Sequence, residues 1–273
     1  MTGELSSLER LLKRDRQIVV TALVLVAGMA WVYTMAGVGT GMSALEMTSM
    51  PWSAMSETTM SMPMTGSMPV SSTGYILVMI AMWWIMMVAM MLPSATPTIL
   101  LAAALNRRSN SDRPPYGTAV FFTAGYLLAW FLFSVVAVVG QLMLESNGLM
   151  TAMMQSSSAY LSAGLLIAAG IWQFSPIKQA CLRHCRSPVE YLTRHRRPGN
   201  RGALIMGMGH GTYCLGCCWF LMALLFAGGV MNLYWVAGLA LFVLTEKFFS
   251  RGVWFSRITG AGLIIAGAAL LAV

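Results

Sequence analysis

Hydrophobic positions along this chain arrive as long runs rather than as alternating or helically spaced stripes. Seven such runs stand out, at about 18–37, 75–103, 117–143, 157–176, 203–228, 231–249 and 255–273. Most are of roughly 18 residues or more, the length that crosses a bilayer as an α-helix. Polar groups collect between the runs. The pattern predicts an all-α, polytopic membrane helix bundle of about seven transmembrane helices. The first run exceeds the apolar core of a signal peptide, about 7–15 residues, and reads as an uncleaved anchor. Pro93 and Pro97 near the end of the second run predict a kink there.

The basic residues orient the bundle. Arg10, Lys13, Arg14 and Arg16 precede the first run, and Arg107, Arg108 and Arg113 lie between the second and third. Lys178, Arg183, Arg186, Arg194, Arg196, Arg197 and Arg201 lie between the fourth and fifth, and Lys247, Arg251 and Arg257 between the sixth and seventh. These are all 17 Lys and Arg residues, and a seven-span chain puts every one on the same side. By the positive-inside rule that side is the cytoplasm, so the N-terminus is expected to be cytoplasmic. The formal net charge of +8 is thus a topology signal compatible with anionic lipid headgroups. With no separate basic domain, it makes no case for nucleic-acid binding.

Composition agrees: 58% of residues are hydrophobic and 10% charged, too little charge to cover a soluble domain of 273 residues. The organisation reads as two parts. Residues 1–74 hold the anchor and an extracytoplasmic loop, and residues 75–273 form a six-helix membrane domain. The loop, 38–74, lacks Lys and Arg, is rich in Ser, Thr, Gly and Pro, and carries eight methionines, densest at Met60, Met62 and Met64. Thioether sulfur is a soft neutral ligand suited to Cu(I) and has little affinity for Zn(II). The alternative is a low-complexity linker that happens to be rich in methionine.

The fifth run contains "GMGHGTYCLGCCW" at 207–219. On a helix His210, Cys214, Cys217 and Cys218 fall on one stripe roughly 100° wide, and Met206 continues it. Imidazole and thiolate together suit Cu(I) or Zn(II). Each residue alone has an ordinary packing explanation, since cysteine behaves as a small hydrophobe. The neighbouring Gly207, Gly209, Gly211 and Gly216 fit close helix packing. Four ionisable groups on one intramembrane face point to metal or redox chemistry. The glycine spacing follows no strand and forms no nucleotide loop.

Two further sets matter. Cys181 and Cys185, with His184 between them, lie in the connection after the fourth run, flanked by Lys178, Arg183 and Arg186, which should favour thiolate. Glu246 and Lys247 close the sixth run and are expected to form an ion pair or a proton site beside the cytoplasmic end of the path, or else a solvated helix end. In the second run Met79, Met82, Met86 and Met90 share a face with Met87 and Met91 beside it, and packing is the expectation there.

The segments "WWIMMVAMMLPSATP" at 83–97, "GYLLAW" at 125–130, "QFSPIKQACLRHCRSP" at 173–188 and "HGTYCLGCCWFLMALLFAGGVMNLYWVAGLALFVLTEK" at 210–247 resemble a bacterial family. Its members are predicted metal-binding integral membrane proteins, long listed as a domain of unknown function and sometimes labelled copper chaperones. The resemblance implies a bacterial inner (plasma) membrane protein that handles metal. It covers most of the chain from the second run onward and leaves out the anchor and the methionine loop. Mercuric-ion transporters show a similar arrangement, with a vicinal cysteine pair in a span and a second pair in the cytoplasm.

The leading expectation is a membrane protein that binds copper as Cu(I), with zinc or another soft divalent metal as alternatives, and exchanges it with a metal-donating or metal-accepting protein. It has no nucleotide partner and is more a carrier than an enzyme. The alternative is a membrane thiol–disulfide oxidoreductase using Cys214 and Cys217, a C-x-x-C pair. A copper oxidase ranks last, for want of a multi-histidine site.

Overall fold

A computed structural model describes residues 2–37, 73–109, 116–150, 154–248 and 252–272. The methionine loop with Met60, Met62 and Met64 lies outside the described residues. The architecture is all-α. Helix α1 spans Thr2–Met35, α2 Thr73–Ser109, α3 Tyr116–Ser146, α4 Ala159–Phe174 and α5 Pro176–Arg186. Then follow α6 Pro188–Arg194, α7 Gly199–Ala223, α8 Leu225–Gly228, α9 Leu233–Phe248 and α10 Gly252–Ala272. Among the described residues, β-structure is limited to an isolated bridge between Met150 and Ser156.

Among the described residues, five helices are long and apolar enough to cross a membrane: Arg14–Met35, Thr73–Leu105, Gly117–Ser146, Gly199–Gly228 and Val253–Ala272. The pair α4 and α5 makes a sixth if it counts as one span, bent by 67° at its break. The bend has a local cause. Ser175 ends α4 in extended conformation, its hydroxyl accepts from the Ile177 N–H at 3.2 Å, and Pro176 begins α5 without an N–H to satisfy. Helix α9 has 16 residues, or about 24 Å of rise, which is short against a hydrocarbon core of about 30 Å. Its start is fixed by Asn232, whose side-chain oxygen caps the N–H groups of Tyr234 and Trp235. The turn just before it needs Gly229, which sits at φ +92°, a region open to glycine.

Large apolar side chains such as Val24, Leu132, Val136, Ile171, Leu241 and Ile258 point outward, while the α2 methionines, Cys214, Cys217, Cys218, Lys178 and Glu246 are buried. That inversion fits a lipid solvent. The most extensive helix contact joins α3 to α7, followed by α4 to α10. At the α3–α7 contact, Gly207 meets the Phe122 carbonyl and Gly125 the Leu204 carbonyl so closely that an added Cβ would overlap them. Gly211 abuts Ala129 and Tyr126 in the same seam. The glycines of the motif therefore serve backbone approach, as small residues do between membrane helices.

Pro93 and Pro97 both lie inside the single helix α2. The proline turn is reinforced by Ser94 and Thr96, whose hydroxyls donate back to the Met91 and Leu92 carbonyls. Upstream of it, Met79, Met82, Met86, Met87, Met90 and Met91 are all at most 3% exposed. The packing expectation for this face holds. In the N-terminal half of α2, Trp83 donates to Gln141 at 2.7 Å, and Gln141 donates to Glu145 at 2.7 Å and to the Met79 sulfur at 3.8 Å. This chain of bonds staples α2 to α3.

Candidate metal site

The sequence motif sits on α7, with His210, Cys214, Cys217 and Cys218 all buried. The Cys217 and Cys218 thiols each donate to the Cys214 carbonyl at 3.0 Å, one turn back along the helix. Cys214 is thereby freed to point elsewhere. Its sulfur accepts from the Lys247 ammonium at 3.0 Å and lies 3.2 Å from the Tyr126 hydroxyl. The Tyr126 oxygen also lies 3.1 Å from the Met91 carbonyl. The Tyr126 hydroxyl donates to the Met91 carbonyl and can at the same time accept from the Cys214 thiol.

Helix α5 completes the cluster. It packs on α7, and the half-buried Cys185 lies against the core that holds Cys214 and Cys217. Cys181 packs against Gly216 of α7, where an added Cβ would fall 2.8 Å from its sulfur. The two cysteine motifs, separate along the chain, thus meet. All five cysteines are free thiols. His184 takes no part: its ring stacks on Tyr213 at 4.2 Å, and its Nδ1 lies 2.9 Å from the Ala180 carbonyl.

His210 occupies a ring of aromatics, with Tyr191 at 5.5 Å and Phe122 and Tyr126 each at 5.9 Å between centroids. Its Nδ1 is buried without a hydrogen-bond partner. An orphaned imidazole nitrogen next to a thiol cluster suits a ligand that arrives from outside. Met206 sits at the other end of the stripe, where its sulfur accepts from the Arg197 N–H at 3.2 Å. It does not join the thiols.

Among the described residues no three His, Cys, Asp or Glu side chains converge as a ready metal cage. The hydrogen bonds above give the reason. Cys217 and Cys218 are turned onto backbone carbonyl, and Tyr126 stands between His210 and Cys214. Receiving a metal requires the thiols to rotate off the Cys214 carbonyl. Thiol-to-carbonyl bonds are weak, and a thiolate gained by a soft metal outweighs them.

The largest departure from sequence reading concerns Glu246 and Lys247. They neither pair with each other nor form a solvated helix end. Glu246 is 1% exposed and pairs with the fully buried Lys178 at 2.6 Å. Glu246 also accepts from the Ser256 hydroxyl, Lys178 donates to Gln173, and Arg186 donates to the Glu246 carbonyl. Lys178 and Arg186, expected to act on the cysteines, are committed here. Lys247, on the neighbouring face of α9, hydrogen-bonds to the Cys214 sulfur, and it also donates to Ser94 at 2.8 Å.

Sequence reasoning missed Ser94 and Tyr126 as parts of this site. A tyrosine in mid-span, inside "GYLLAW", was the available signal, because a buried phenol needs a partner.

No curated protein and no solved structure matches the chain. A sequence profile of the PpoB2 family, described as copper chaperone, matches residues 80–270. The match runs from the first turns of α2 nearly to the end of α10 and takes in every cysteine, so the chain belongs to the PpoB2 family.

Proposed function

We propose that the protein is a membrane copper carrier that binds Cu(I) through the Cys214, Cys217, Cys218 and Cys185 thiols and passes it on by ligand exchange. The observation that carries this reading is the packing of α5, with its half-buried Cys181 and Cys185, against the α7 helix that buries Cys214, Cys217 and Cys218, in a chain whose family is described as copper chaperone. His210, with its unpartnered nitrogen, is the additional donor. Met60, Met62 and Met64 capture the ion outside, with Met206 and His184 as lesser candidates at the inner end. Cys181, on the surface of the cluster next to Gly216, is the exchange point toward a partner protein. Residues 1–74 are the anchor and capture loop, and 75–273 the metal-binding domain.

The protein spans the bacterial inner membrane seven times with its N-terminus in the cytoplasm, α4 and α9 being the two short spans. The one-sided distribution of all 17 basic residues supports this topology. Thioethers favour Cu(I) over zinc, whereas thiolates take either.

Elemental analysis and Cu(I) titration of protein purified in mild detergent test the reading. Wild type is expected to bind Cu(I), and the double variant Cys214→Ser, Cys217→Ser to lose most of it. Absence of Cu(I) binding in wild type, or unchanged copper in the variant, sinks the proposal. A mixed disulfide trapped through Cys214 or Cys217 favours the oxidoreductase instead.

A further inference from the structure

Lys247 places a fixed positive charge against the sulfur of Cys214, at 3.0 Å. Among the described residues no carboxylate pairs with it: Glu246, its chain neighbour, is taken by Lys178, and Lys247 is left with Cys214 and the neutral Ser94. Cationic side chains within a membrane bundle ordinarily find an anionic partner. Here the partner position is held by a thiol that becomes anionic when it ligates a metal.

The consequence is a charge filter. Where two of the four thiols bind a monovalent ion as thiolates and the other two stay protonated, the site carries a single negative charge, which Lys247 cancels. Two thiolates holding a divalent ion are already neutral, and Lys247 then leaves an uncompensated positive charge in a low-dielectric setting. A divalent ion reaches neutrality only by recruiting a third thiolate. We propose that Lys247 is a selectivity residue that makes the thiol cluster prefer monovalent soft cations, Cu(I) and Ag(I), over divalent ones such as Zn(II) and Cd(II). Ser94 holds the ammonium in register and contributes no charge.

This inference rests on the metal-binding reading above, and its test separates the two. Affinities of purified full-length protein for Ag(I), Cu(I), Zn(II) and Cd(II) are measured by competition with chelators in anaerobic detergent. The readout is the ratio of monovalent to divalent affinity. Lys247→Met removes the charge and is expected to lower that ratio at least tenfold. A change on the order of a hundredfold corresponds to one extra charge about 5 Å away at an effective dielectric of about 20.

Lys247→Arg keeps the charge and is expected to retain at least part of the ratio, and Ser94→Ala to leave it near wild type. Ser94→Asp sets a carboxylate beside the ammonium without removing it. It is expected to shift the ratio in the same direction as Lys247→Met, so the test stands even where the methionine variant does not fold. A wild type that binds none of the four ions removes the metal-binding reading itself. A wild type that binds them, with a ratio unchanged in both Lys247→Met and Ser94→Asp, or in either one if the other does not fold, overturns the charge filter alone.

Discussion

Glu246 and Lys247 are neighbours on α9 and enter two polar clusters of opposite character. Glu246 belongs to a closed network: a buried ion pair with Lys178, a hydroxyl from Ser256, and Arg186 on its own carbonyl. Lys178 and Glu246 balance each other there, Arg186 adds a cation held on a backbone carbonyl, and the groups come from α5, α9 and α10. Lys247 belongs to an open one, in which an ammonium faces a thiol, two other thiols rest on a carbonyl, and an imidazole nitrogen nearby lacks a partner. The contrast teaches how to read buried ionisable groups. Satisfied and charge-balanced clusters hold helices together, whereas soft, underused donors wait for something to bind.

The comparison can be broken at its structural side first. Glu246→Ala leaves Lys178 buried without a counter-charge and should lower stability by about 3–5 kcal/mol. Thermal unfolding in detergent measures it, and a variant that melts like wild type would remove the structural role assigned to this pair. Gly207→Ala forces α3 away from α7 at the Phe122 carbonyl, with an expected loss of about 1–3 kcal/mol in the same assay. Because that seam also sets Tyr126 against Cys214, weakened Cu(I) binding should accompany the loss.

On the open side the effects move from stability to binding. Cys214→Ser should reduce Cu(I) affinity by at least about tenfold, or about 1.4 kcal/mol, while the melting temperature stays close to wild type. A large fall in melting temperature without a change in affinity would recast Cys214 as a packing residue. The smallest effect is expected from Tyr126→Phe, which removes the contact with Cys214 and the hydrogen bond to Met91, the latter worth about 0.5–1.5 kcal/mol. Cu(I) titration together with unfolding of this variant shows whether the hydroxyl serves the fold through Met91 or the site through Cys214.

Much of the molecule was readable from sequence because lipid imposes a simple rule. Helices must be long, apolar and internally hydrogen-bonded, so runs such as 75–103 and 203–228 announced α2 and α7. The stripe of His210, Cys214, Cys217 and Cys218 followed from helical periodicity alone, since i, i+4, i+7 and i+8 share a face wherever that helix goes. The burial of Met79, Met82, Met86 and Met90 was legible for the same reason.

What periodicity cannot supply is the partner across a helix interface. That Cys185 lies against the core that holds Cys214 depends on the turn at Ser175, which lays α5 against α7. That Lys178 answers Glu246 across 68 positions, and Lys247 answers Ser94 across 153, depends on how α2, α5 and α9 pack together. Sequence by itself determined the all-α character with long apolar helices, the face of α7 on which His210, Cys214, Cys217 and Cys218 lie, and the family. Only tertiary structure decided which charge balances which, because an ionisable group in a low-dielectric interior is defined by what stands within a few ångströms of it, and that neighbour is remote along the chain.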